Sequence, residues 1–79
     1  MRARVYITLK AGVHDPAGKA VEAGLLQLGH DGVRDVRIGK LIELEIDEDD
    51  PARARARVEQ MCEQLLANLV IERFRVEFA

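Results

Sequence analysis

Few side chains in this chain have types and spacing that could carry out a reaction. It has no serine, two histidines (His14 and His30) and one cysteine, Cys62. His14 adjoins Asp15, a pairing that can move a proton. Asp15, however, stands directly before Pro16, and a carboxylate followed by proline is the chemistry of a helix start. His14 and His30 have no cysteine near them and make a weak metal pair. Cys62 neighbours Met61 on the apolar side of a helical pattern, which reads as a core thiol rather than a nucleophile. Asp47-Glu48-Asp49-Asp50 gathers four carboxylates, but consecutive acids lack the spaced ligands of a calcium loop. They read instead as a cap, Asp50 before Pro51, with further acids favoured by the helix dipole. No glycine-rich phosphate loop occurs. The inventory lacks a catalytic constellation, and it points to a binding or assembly role.

The bulk numbers agree with a small intracellular module. At 79 residues the chain is one domain, residues 1–79. A chain of that size buries only about 60% of its unfolded surface, so association with other chains is a natural source of stability. Twelve basic residues against 14 acidic ones leave a net charge of −2, which does not suggest nucleic acid or an anionic membrane as partner. The apolar runs fall short of the ~20 residues that span a bilayer. The N-terminus passes straight into a strand pattern with no signal-peptide core. A single cysteine suits the reducing cytoplasm.

The elements that would position these residues follow from periodicity. Val5, Ile7 and Leu9 alternate with Arg4, Tyr6, Thr8 and Lys10, the signature of a half-buried strand. Asp15-Pro16 opens a helix to about Leu28, with Ala17, Val21, Leu25 and Leu28 on one face and Gly29 as its left-handed terminator. Asp50-Pro51 opens a second helix. Its Ala52 to Arg57 run alternates like a strand, but alanine and arginine are strong helix formers. Arginines two apart on a helix lie about 200° round the axis and form no single basic stripe. Ala54, Val58, Met61, Cys62 and Leu65 make the buried face, while Arg55, Glu59 and Glu63 make a solvated, ion-paired one. Asn68 is the expected left-handed terminator. A last strand runs from Val70 to Phe78, with Phe74, Val76 and Phe78 inward.

The chain is organised around Asp35 to Ile46. Val36, Ile38, Ile42, Leu44 and Ile46 share one parity, interrupted at Gly39. Two geometries keep these five residues on one face. One is a hairpin with a three-residue loop, Gly39 to Leu41, which sets Ile38 opposite Ile42 and Val36 opposite Leu44. The other is one long strand bent at Gly39. Such a strand runs to roughly 50 Å, whereas a compact chain of this size has a radius of gyration of about 12 Å. Compactness favours the hairpin, and both versions imply an oligomer-prone sheet. The two halves echo each other, with Asp-Pro pairs 35 residues apart. The order βαββαβ predicts an α+β, ferredoxin-like antiparallel sheet with two helices on one face, dimerising through the sheet. The other face would carry Arg4, Tyr6, Thr8, Glu43, Glu45, Arg73 and Arg75.

Several stretches in this order resemble a known family. They are Val5 to Val13, Asp15-Pro16-Ala17-Gly18-Lys19-Ala20-Val21-Glu22, Leu28-Gly29, Val33 to Leu44, and Met61 to Glu72. Together they are similar to PurS, the small subunit of phosphoribosylformylglycinamidine synthase, over nearly the whole chain. The chain departs from the family pattern at Ala17, where glutamine is usual, and at Leu69, where proline is usual. The resemblance implies a non-catalytic subunit in de novo purine synthesis. It would form a homodimer or higher homo-oligomer and bridge a glutaminase subunit and a synthetase subunit, assisting ammonia transfer between them. It implies no cofactor in this chain; ATP and Mg belong to the synthetase. The surfaces expected to act as subunit interfaces are Asp15, Gly18 and Lys19 at the first helix start, Arg37, Gly39 and Lys40 at the central joint, and Asn68 at the turn. The competing class is a regulatory domain that binds a small molecule, as βαββαβ modules often do at dimer interfaces.

Overall fold

The computed structural model describes every residue from Met1 to Ala79. Its centre is β1 (Arg2–Leu9), whose alternation places Ala3, Val5 and Ile7 out of contact with water. Strands β2 (Lys40–Glu45) and β3 (Glu72–Phe78) pair antiparallel on either side of it, in the order β2-β1-β3. The register sets Val5 opposite Ile42 on one side and Val76 on the other. One parity therefore forms an apolar inner face, with Phe74 and Phe78 packed at its margin. The other parity forms the expected polar outer face, where Arg2 meets Glu43 at 2.8 Å and Arg4 meets Glu77 at 3.5 Å.

Helix α2 (Pro51–Met61) covers the inner face. Asp50 caps it by accepting the amide of Arg53, and Ala54 and Val58 point into the sheet. The acidic run serves this start: Glu48 pairs with the Arg53 guanidinium at 3.0 Å. The other two arginines reach across the fold rather than along the helix. Arg55 donates to the Val76 carbonyl and lies over the Phe78 ring, and Arg57 donates to the Asp47 carbonyl. The expected Arg55–Glu59 and Glu63 pairing does not form.

The helix then widens. Cys62–Leu66 forms a π turn, closed by the Ala67 amide on the Cys62 carbonyl at 3.0 Å. An extra residue in the turn advances the phase of the buried stripe. Leu66 packs against the core in place of Leu65, which is 84% exposed. The expectation of a buried Leu65 fails for this reason. Asn68 is not left-handed either: Asp35 is the chain's one non-glycine residue with positive φ. Asn68 instead closes a turn, its side chain accepting the Val70 amide and its carbonyl accepting those of Ile71 and Glu72. That turn delays β3 to Glu72.

Helix α1 (Pro16–Gln27) ends as its sequence predicts. Gly29 has φ +94, its amide returns to the Leu26 carbonyl, and that of His30 returns to Leu25. The helix contributes no side chain to the core. Val21, Leu26 and Leu28 stay exposed, so the apolar face expected to cover the sheet alongside α2 is uncovered.

The central hairpin is absent. β2 pairs with β1 alone, and Val33–Gly39 forms no ladder within the chain. The chain runs through Gly39 without folding back, as in the bent-strand alternative, although the part before Gly39 is irregular. The molecule overhangs its own core as that alternative requires. It measures 48 × 26 × 15 Å with a radius of gyration of 15.9 Å, against about 12 Å for a compact chain of its length. The architecture is an α+β, ferredoxin-like arrangement in the order βαβαβ: one strand of the expected βαββαβ order is missing, because Val33–Gly39 finds no ladder partner within the chain.

Candidate functional site

The sequence-predicted interface residues converge on one joint at the end of the sheet, where β1 stops and β2 starts. Residues 10–13 form a turn closed by the Val13 amide on the Lys10 carbonyl, with Gly12 at φ +87. Asp15, 5% exposed, follows it. One carboxylate oxygen accepts the Gly18 amide at 2.9 Å, the usual cap. The other accepts the Ile38 amide at 2.8 Å and ties the helix start to the central segment. These two bonds, that from Ile38 first, hold the Asp15 carboxyl below its usual range; Arg37 and His14 add to the effect. With both oxygens engaged by backbone, Asp15 is unavailable as a base for His14.

Two glycines let the backbones meet here. A Cβ on Gly18 would stand 2.2 Å from the Val36 carbonyl oxygen, and one on Gly39 would stand 2.6 Å from that of Ile7. Around them the polar side chains clamp the crossing. Arg37 donates through one Nη to both the Lys10 and Val13 carbonyls, at 3.2 and 2.9 Å. Glu22 accepts the Val36 amide and faces Lys19 at 3.9 Å. Lys40 faces Glu72 at 3.5 Å, and Glu72 accepts the Asn68 amide at 2.8 Å. That amide, then Lys40, lowers the Glu72 carboxyl below its usual range.

All seven predicted residues therefore belong to a single bonded neighbourhood. Asp15, Gly18, Lys19, Arg37 and Gly39 form the crossing, and Lys40 and Asn68 join through Glu72. Glu22 and Glu72 were missed. Neither has a local signal, because each acts on backbone or charge brought in by the fold.

The arrangement fixes chain geometry and offers no reaction chemistry. Nowhere do three His, Cys, Asp or Glu side chains converge as a metal site requires. Cys62 is fully buried, and burial raises its thiol pKa, away from the reactive thiolate. No helix is long and apolar enough to cross a membrane.

Comparison with known proteins decides the family. The family model PurS, phosphoribosylformylglycinamidine (FGAM) synthase, matches residues 2–79. This chain belongs to the PurS family. It is 55% identical over 74 residues to the phosphoribosylformylglycinamidine synthase subunit PurS of Synechocystis, covering 94% of this chain and 74% of that one. The solved PurS of Bacillus subtilis superposes with a TM-score of 0.83 at 46% identity, covering 96% and 94% of the two chains. A chain of PurLQS from Thermotoga maritima superposes at 0.88 with 30% identity, covering 96% and 93%. A PurS chain is a subunit of the synthase in purine biosynthesis, a component of the enzyme.

Proposed function

We propose that this PurS chain works by assembly: it self-associates and holds the glutaminase and synthetase subunits of FGAM synthase together, so that ammonia released from glutamine reaches the synthetase without escaping. The observation that carries this reading is the likeness to a chain of PurLQS, joined to a fold that spends its polar residues on shape. ATP and Mg act in the synthetase, and this subunit binds no cofactor of its own. The chain works in the cytoplasm, in keeping with its unpaired, buried Cys62 thiol.

Self-association uses the overhang. Val33–Gly39 has no ladder partner, and the Val21–Leu28 side of α1 leaves apolar surface in water. A second copy that pairs with one and covers the other resolves both. The joint built on Asp15, Gly18, Lys19, Arg37, Gly39, Lys40 and Asn68 sets the angle at which this overhang leaves the sheet. Those residues shape the interface, and their outer surfaces rim it.

Co-purification tests the reading. The tagged chain is expected to retain both the glutaminase and the synthetase when ATP and glutamine are present. Retention of neither would refute it. Tight binding of an amino acid or nucleotide by the isolated chain would favour the regulatory alternative instead.

A further inference from the structure

The outer sheet face carries a trough that begins on β1 and β3 and reaches the joint at Arg37. Two grooves adjoin there and share Thr8 and Arg73. One, of about 470 Å³, lies between Tyr6, Thr8, Arg73 and Arg75. The other, of about 370 Å³, continues past Thr8 to Gly12, Asp35 and Arg37. Together they make a trough along β1 and β3 to the Lys10–Val13 turn.

Its charge is unbalanced. Arg2, Arg4, Lys19, Lys40 and Arg53 each meet a carboxylate. Lys10, Arg34, Arg37, Arg55, Arg57 and Arg73 do not, and of these Arg37 and Arg73 line the trough. Arg73 donates Nε to the Thr8 hydroxyl at 3.3 Å, and Arg37 donates one Nη to two carbonyls. Each guanidinium is thus oriented while keeping N–H donors free. Asp35 lines the trough but pairs with neither. Arg75 stacks on the Tyr6 ring, 4.3 Å from its centroid, and shares Glu77 with Arg4.

We propose that this trough receives an extended acidic segment of a partner polypeptide, a neighbouring subunit of the synthase. The inference rests on the proposed assembly role. Arg73 and Arg75 stand two residues apart on one strand face, about 7 Å, the spacing of carboxylates on alternate residues of an extended chain. The Tyr6–Arg75 stack supplies the rigid aromatic and guanidinium anchor that interfaces favour. A protein suits the trough better than nucleic acid, because the chain is net negative at −2 and one of the three cations already shares a carboxylate.

The test measures binding of this chain to the glutaminase and to the synthetase at low and at physiological salt. Arg73→Glu is expected to weaken capture of one of them by about tenfold, as like-charge juxtaposition does, and to flatten the salt dependence. Arg73→Gln should lie between, and Arg57→Glu, on the opposite side of the sheet, should match the parent. Matched thermal melts keep folding out of the comparison. If Arg73→Glu binds both subunits as the parent does, the trough is not a docking site. If millimolar inorganic phosphate or ATP shifts the Arg73 Nε resonance and the variants assemble normally, it is a small-anion site and the proposal is wrong. If the parent chain itself binds neither subunit, the assembly role fails and this inference with it.

Discussion

The Asp15 carboxylate accepts the Ile38 amide at 2.8 Å, a bond that spans 23 positions in sequence. It makes one residue both the cap of α1 and the clasp on the segment leading into β2. Its charge contributes to stability, since the folded carboxyl is held below its usual range. An unfolded Asp titrates near about 3.9. The contribution is therefore complete above that pH and is lost as pH falls through the lower, folded value. Asp15→Asn is expected to unfold at lower urea than the parent at neutral pH, with the gap closing below about pH 4. Urea midpoints across pH check this; a constant gap would contradict it.

The two glycines of α1 should respond oppositely to alanine. Gly24 has nothing within 4 Å of a built Cβ, whereas Gly18 meets the Val36 carbonyl at 2.2 Å. Helix propensity alone favours Gly→Ala by about 1 kcal/mol at either site. Gly24→Ala should therefore stabilise by up to that amount. Gly18→Ala should destabilise, because two backbones must separate and the Asp15 clasp opens with them. Chemical denaturation of both variants decides; a stabilised Gly18→Ala would show that the crossing is not tight.

Much of this was legible locally. Alternation along β1 identifies its buried face because a strand has only two faces. Asp-Pro identifies both helix starts because cap chemistry is local. Parity in Asp35–Ile46 placed Val36 and Ile38 with Ile42 and Leu44, but parity says which face a residue takes and not which strand it pairs with. The hairpin and the bent chain are equal on that count. Compactness then favoured the wrong one, because it assumes that a chain buries its own surface. Leu65 failed differently: nothing in Cys62–Leu66 distinguishes a π turn from an α turn, and one inserted residue rotates the stripe. Asp15, Gly18 and Gly39 were legible as a cap, a helix start and a bend, and Lys19, Arg37 and Lys40 as charge, whereas the left-handed turn expected at Asn68 does not form. Their bonds to Glu22, Glu72 and Ile38 were not, since those depend on the tertiary crossing.

The π turn has a direct energetic test. Val58 is fully buried, and truncating it to alanine should cost about 2 kcal/mol in lost burial and cavity. Leu65→Ala, on an 84% exposed side chain, should fall within about 0.5 kcal/mol of the parent. A Leu65→Ala cost matching that of Val58→Ala in urea unfolding would restore an ordinary α-helical phase.

Covering the α1 overhang should need its apolar side. Val21 and Leu28 are 43% and 77% exposed in the single chain. Sedimentation is expected to give a mass above that of the 8.9 kDa chain, and Val21→Asp with Leu28→Asp should return it toward the monomer. An unchanged mass would place the contact elsewhere.

Reconstituted synthase offers the most direct test of the account that this chain acts only by assembly. Amidine formation would be followed with the glutaminase and synthetase, first with glutamine and then with ammonia as nitrogen donor, each with and without this chain. Without it, the glutamine-dependent rate is expected to fall to near background while the ammonia-dependent rate survives. An undiminished glutamine-dependent rate in its absence, or turnover by the purified chain alone, would contradict the account.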